Sequence, residues 1–411
     1  EYNPFHKGHL YHLNTIKKTL KPEGIVVVLS GNFVQRGEPA IFGKWARAEM
    51  ALLGSADLVI ELPVCFSTAT AEIFAESAIN LLSQTQVINT LSFGIEEYQE
   101  KELSYLGKLL SNEPHLFKKY LNEYLKKGLP FPLAREKAIM KYVESNNMNL
   151  STKSICNLLR KPNSILAIEY IKAINKINPK ITVFPVLRKG RDYHDRTITD
   201  EYVSASGIRR AILSYGLDFD AEFMKNLPDS TLRVIKKETE HCRTPVFFND
   251  FETVILYILR RTPPNKLTAY FDVKEGLENR IAKAAQVCGN LKQLISHIKS
   301  RRYPETRIQR ILIHVLLDIQ KKIVASRAPQ YIRVLGFNQR GSNILRKIHR
   351  KASIPVITRA AEYKRLNQNA KKMFEKDLLA SDIYALAYKD SNLRCALSDF
   401  SRKVICLNCR R

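Results

Sequence analysis

The sequence has 411 residues, with 66 Lys+Arg against 40 Asp+Glu and a formal net charge of +26 at pH 7. That length allows two or three domains, each with its own core, and no apolar run is long enough to span a membrane or to serve as a secretory signal. Seven scattered cysteines suit a reducing cytoplasm better than a disulfide framework. The charge is uneven: residues 1–250 hold 33 Lys+Arg and 28 Asp+Glu, whereas residues 251–411 hold 33 and 12. A basic surplus concentrated in one half is expected of a module that binds a polyanion, nucleic acid above all.

The chain opens on Glu1-Tyr2-Asn3-Pro4-Phe5-His6-Lys7-Gly8-His9-Leu10-Tyr11-His12, and Leu10, Leu13, Ile16 and Leu20 recur at helical spacing. The run from His6 to His9 therefore sits at a helix N-terminus, where unpaired N–H groups and the helix dipole attract an anion. Gly8 is expected to let a phosphate approach the backbone. His6 and His9 are expected to donate hydrogen bonds to charge that develops as a nucleotide's α-phosphorus is attacked. Two surface histidines at an ordinary cap are the plain alternative for so short a motif.

Strand and helix then alternate. Residues 25–29 (Ile-Val-Val-Val-Leu) read as a buried parallel strand, the loop 31–41 leads to a helix over 44–53, and 57–62 is a strand stopped by Pro63. A helix over 71–82 and a strand over 88–93 follow. Residues 99–180 are mostly helical with a break at Pro130 and Pro132, and a last strand covers 181–187. The pattern predicts an α/β fold, a Rossmann-like doubly wound parallel sheet filling a domain over 1–215. A mainly helical, basic domain is predicted over 216–411, with a strand–helix–strand piece between 331 and 358.

In an open α/β sheet the ligand lies beyond the C-terminal ends of the strands. Gly94 and Arg188 follow two predicted strands, and Ser204, Ser206 and Arg209 open the next helix. Gly94 leaves room for a purine or ribose, or is an ordinary turn glycine. Ser204 and Ser206 bind β- and γ-phosphates beside Arg209, or cap the helix.

His6-Lys7-Gly8-His9 with Ser204-Ala205-Ser206-Gly207-Ile208-Arg209 resembles the paired HIGH and serine-rich motifs of nucleotidyltransferases. Four longer stretches narrow this to a resemblance with the bacterial tRNA(Met) cytidine acetate ligases: residues 1–12, the loop 31–40, residues 161–170 and residues 276–281. They occur in the family's order and span nearly the whole chain. The resemblance implies an enzyme that activates acetate with ATP as acetyl-adenylate and acetylates N4 of the wobble cytidine of elongator tRNA(Met). It implies an ATP site at Glu1 to His12, Gly94, Asn163, Arg188 and Lys189, with Asn163 reading the adenosine. Lys7, Arg188 and Arg209 would neutralise phosphate charge. Lys44 and Arg36 read as surface charge, with acetate or diphosphate binding as the alternative. Mg²⁺ accompanies such phosphates, but no acidic cluster marks its ligands. The family's first strand, a central one, would precede Glu1 and is absent from the sequence. Ser164 and Ala167 stand where the family pattern has Asn and Gly.

The tRNA side rests on the basic half. Residues 301–350 contain 12 Lys+Arg and two acids, and Arg301, Arg302, Arg307, Arg310, Arg340, Lys347 and Arg350 are the expected phosphate contacts. Tyr303 reads as core, with base stacking as the alternative. A lone Cys406-x-x-Cys409 falls short of a zinc ligand set. Two rival readings remain: a nucleotidyltransferase that adenylylates a small phosphorylated metabolite, and a catalytically inactive tRNA-binding protein.

Overall fold

A computed structural model describes residues 1–148, 150–189 and 203–407. The chain forms two compact units. The larger comprises residues 1–87, 189–299 and 303–411, and the smaller residues 88–188 with 300–302.

The larger unit is built on a sheet in which β1 (Val26–Ser30) pairs in parallel with β4 (Leu58–Leu62). Between them, β2 (Phe33–Val34) and β3 (Glu38–Pro39) form a small hairpin, and helix α2 (Lys44–Leu53) makes the crossover. All five residues of β4 are buried, as expected of a central strand. Its other neighbour comes from far along the chain: β7 (Ile332–Asn338) runs antiparallel to β4 and sets Arg333 opposite Glu61. β8 (Val356–Ile357) and β9 (Ile405–Leu407) then pair in parallel with β7.

The smaller unit holds β5 (Thr90–Ile95) and β6 (Thr182–Leu187), paired in parallel with each other, and five helices between residues 100 and 177. Phe93, Ile95, Leu106, Phe117, Ile139 and Ile168 stand in its core.

Nearly every predicted element is present within a few residues, and α/β with a parallel sheet and a helical majority is the class observed. The partition differs. The strands predicted over 88–93 and 181–187 do not extend the β1–β4 sheet; they form their own pair. The strand predicted over 331–337 does extend it, so the compact units do not divide at residue 215.

The reason is electrostatic. Glu61 is a carboxylate in the middle of a buried strand and must be paired. Lys44 Nζ lies 3.1 Å from Glu61 and 2.8 Å from Asp399, and Arg333 lies 3.3 Å and 3.1 Å from the same two acids. Ser381 Oγ and Trp45 Nε1 also donate to Asp399, at 2.8 and 3.0 Å. Lys44, expected at the surface, is thus a core residue. Neighbouring Asp377 accepts from Val64 N–H and Tyr331 O–H, and burial together with Glu61 pushes its carboxyl up to about 7.

Removing one member of such a quartet leaves a buried charge unmatched. Arg333→Met is expected to lower the unfolding free energy by about 3–5 kcal/mol in urea titrations followed by circular dichroism. A loss below about 1 kcal/mol would mean that the quartet is not what joins β7 to β4.

Candidate active site

The opening stretch is held from three sides within the larger unit. Arg47, fully buried on α2, donates to the carbonyls of Glu1 and Phe42, each at 2.8 Å, and to that of Gly31. Asn3 Oδ1 accepts from Ile41 N–H at 2.8 Å. Arg209, one turn into the helix Ala205–Tyr215, donates to the Asn3 carbonyl at 2.9 Å and pairs with Glu38 at 2.8 Å. Phe5 is fully buried.

His6 caps helix α1 (Lys7–Leu20). Its Nδ1 accepts from Gly8 N–H at 3.0 Å, while His9 Nδ1 accepts from His6 N–H at 3.3 Å. This is a capping box made with two imidazoles in place of hydroxyl and carboxylate. Because each Nδ1 is an acceptor, each ring carries its proton on Nε2. The rings lie 3.8 Å apart, centre to centre, at 31°. Two Nε2 donors are therefore fixed beside a helix N-terminus, an arrangement suited to an oxyanion.

Gly8 also has a structural role. A Cβ there would stand 2.8 Å from His6 Cε1 and 3.0 Å from His6 Nδ1. The missing side chain makes room for the His6 ring.

Lys7, Leu10, Tyr11 and His12 are half-buried on the first turns of α1, and Lys189 Nζ lies 4.5 Å from the centre of the Tyr11 ring. Ser204 is the N-cap of its helix, accepting from Gly207 N–H at 3.2 Å, and its hydroxyl is 3.1 Å from that of Ser206. The capping alternative thus describes Ser204 as the structure has it.

Gly94, Asn163 and Arg188 belong to the smaller unit. Gly94 and Arg188 stand at the C-terminal end of the β5–β6 pair, where a Cβ on Gly94 would touch Arg188 Cγ at 3.4 Å. Asn163 Nδ2 donates to Glu96 at 2.6 Å. Glu96 also accepts from the N–H groups of Asn163 and Ser164 and from Ser164 Oγ, at 3.0–3.2 Å. A carboxylate thus sits at the start of the helix Pro162–Ile177, and Ser164 contributes to holding it.

Of the expected tRNA contacts, Arg301, Arg302, Arg340, Lys347 and Arg350 are exposed, the last three on the helix Gln339–Lys351. Arg340 donates to the carbonyls of Pro22 and Glu23, and Lys347 lies 2.5 Å from the Glu23 carboxylate. Arg307 is turned inward to Asp272 at 3.1 Å and lies over Tyr303, which is only 7% exposed. Arg310 is half-buried, and burial pushes its pKa down. Arg307 serves the fold here, and Tyr303 is core. Cys409 lies outside the described residues.

Arg47, Glu38 and Glu96 were not among the expected site residues. Arg47 had a readable signal: with Lys44, Ala48 and Ala51 it occupies one helical stripe, a charge on an apolar face. Glu38 and Glu96 had none, since each acts on a partner remote in sequence.

A family profile described as HIGH Nucleotidyl Transferase matches residues 1–398. The tRNA(Met) cytidine acetate ligase of Thermoanaerobacter sp. (strain X514) is 45% identical over 394 residues, covering 96% of this chain and 95% of that protein. That of Caldanaerobacter subterraneus subsp. tengcongensis is 45% identical over 407 residues, 98% of each. The chain belongs to the tRNA(Met) cytidine acetate ligase family.

The crystal structure of Thermotoga maritima TmcAL in its apo form superposes with a TM-score of 0.94 at 32% identity, covering 99% of this chain and 98% of that one. The same protein bound to alpha-thio ATP gives 0.92. The two-histidine cap lies within the residues that the family profile matches. Gly8→Ala should displace the His6 ring and lower ATP-dependent diphosphate release about 100-fold, with a melting temperature lowered by only a few degrees through the lost cap. Activity within about threefold of the unaltered protein would show that the His6 position is unimportant.

Proposed function

We propose that the protein activates acetate with ATP and transfers the acetyl group to N4 of the wobble cytidine of elongator tRNA(Met). The observation that carries this reading is the pair of Nε2–H donors fixed by the His6–Gly8–His9 cap, in a chain of this family.

In the first step an acetate oxygen forms a bond to the α-phosphorus and the bond to the bridging oxygen breaks, releasing diphosphate. Acetate is a weak nucleophile, so the site's work is alignment and neutralisation of charge. His6 and His9 donate to the α-phosphate oxygens, where negative charge builds up. Lys7, Lys189 and Arg209 supply cations for the remaining phosphate charge; Arg209 does so on exchanging Glu38 for phosphate. On the family resemblance, Gly94 and Asn163 are assigned to the nucleoside and Arg188 to phosphate charge. In the second step the N4 amine attacks the acetyl carbonyl carbon, AMP leaves, and N4 loses a proton.

Among the described residues no cluster of three or more His, Cys, Asp or Glu side chains is placed to hold a metal. Mg²⁺ is expected to accompany the ATP substrate, and no step is assigned to it. Among those residues no helix is long and apolar enough to cross a membrane. Action in the cytoplasm is assigned from the tRNA substrate named for the relatives. Phosphates of the tRNA backbone are assigned to Arg340, Lys347 and Arg350 on the exposed face of Gln339–Lys351, and separately to Arg301 and Arg302 of the smaller unit.

The test is incubation with ATP, carbon-labelled acetate and unmodified elongator tRNA(Met), followed by nuclease digestion. Labelled N4-acetylcytidine from the wobble position, lost in His9→Ala, is the expected result. Diphosphate release with a phosphorylated metabolite and no labelled RNA would select the plain nucleotidyltransferase instead. Tight tRNA binding with no diphosphate release would select the inactive binding protein.

A further inference from the structure

The helix Glu252–Arg261 buries Ile255, Leu256 and Leu259 and turns Tyr257 outward, 59% exposed. Tyr257, Arg260 and Arg261 line a surface concavity of about 510 Å³ together with Glu252 and Gly289. Neither the HIGH motif nor the basic residues considered above touch it.

Its parts are set in place. Arg261 Nη1 donates to Tyr257 Oη at 2.8 Å, and its guanidinium carbon lies 5.4 Å from the centre of the ring. Arg260 is anchored by donating to the carbonyls of Ala285 and Cys288, at 3.0 and 3.1 Å. The carboxylate of the lining, Glu252, accepts from Leu291 N–H at 2.8 Å and so is directed at backbone. At Gly289 the backbone is open: only Gln293 Oε1, at 4.0 Å, would meet an added Cβ.

An exposed aromatic ring flanked by two arginines, with its acid already engaged, suits a flat anionic ligand. A nucleotide is such a ligand, its base stacking on the ring and its phosphate bridging guanidinium groups. We propose that this concavity binds one unpaired nucleotide of RNA, the base on Tyr257 and the phosphate between Arg260 and Arg261. This deepens the assignment of tRNA as substrate and rests on it. Paired RNA does not fit, because stacked bases expose no face to the ring. An acidic peptide would use the cations but not the ring.

The experiment measures binding of fluorescently labelled tRNA(Met) and transfer of labelled acetate to it, for the unaltered protein, Tyr257→Ala, Tyr257→Phe and Arg261→Gln. Tyr257→Ala should weaken tRNA binding and raise the KM for tRNA about 10-fold, while Tyr257→Phe stays near the unaltered protein because the ring remains. Arg261→Gln should reduce the slope of log affinity against log salt by about 1, which Tyr257→Ala should leave alone. Diphosphate release from ATP and acetate without tRNA should not change in any of them. Irradiation should cross-link tRNA to the peptide that carries Tyr257.

Binding by Tyr257→Ala within about twofold of the unaltered protein, or an equal loss against a fully paired RNA duplex, would overturn the nucleotide site. If the unaltered protein binds unpaired RNA through Tyr257 but transfers no acetyl group, the site stands and the ligase reading fails.

Discussion

Two cations and two carboxylates, none more than 3% exposed, hold the larger unit together: Lys44, Arg333, Glu61 and Asp399. They come from α2 and β4, which are neighbours in sequence, and from β7 and the short helix Ser398–Ser401, which lie far along the chain. Burial of so many charges is costly, and the arrangement is favourable only when every member is matched. Burial raises the pKa of Asp399, but Lys44 and Arg333 outweigh it and hold that carboxyl well below the usual range. A late strand is thereby committed to the first sheet, and the compact units cannot follow the order of the sequence.

The same framework positions the chemistry. Lys44 and Arg47 lie one turn apart on α2: the first enters the charged core, and the second holds the carbonyls of Glu1, Gly31 and Phe42. Rigid packing below is thus converted into a fixed backbone above, at the point where the chain enters α1. From there local chemistry takes over. Gly8 admits the His6 ring, His6 caps the helix, and His9 closes the cap in return. The hydrogen bonds that stabilise the helix end also choose the tautomers, so stability and function are met by the same contacts. Gly37 is another tight point: its φ is +75°, and a Cβ there would lie 2.2 Å from the backbone nitrogen of Arg310.

Local patterns were legible in the sequence and remote pairings were not. The helix after His9, the strands before Ser30 and Pro63 and the helix over 44–53 follow from periodicity and punctuation, and the structure has them. The HIGH and serine-rich motifs pointed to the family that the comparisons show. What periodicity cannot carry is the partner of a strand, so the pattern places β7 in a separate domain although Arg333 answers Glu61. Charge composition does not separate cations that face a ligand from those paired within the fold. Part of the basic surplus does not face a ligand: Arg333 is in the core, Arg307 pairs with Asp272, and Arg327 pairs with Glu72 and Glu76. Lys44 on an apolar helix face was the available warning that a charge lay inside.

The central claim is that the fold presets both histidines as Nε2–H donors before any nucleotide arrives. Long-range ¹H–¹⁵N spectra of the protein labelled at histidine, assigned with His6→Gln and His9→Gln variants, read the tautomers directly. The account predicts an unprotonated Nδ1 and a protonated Nε2 in both rings near neutral pH without ligand. An Nδ1–H tautomer in either ring would contradict it, because that nitrogen could no longer accept the backbone hydrogen bond on which the cap depends.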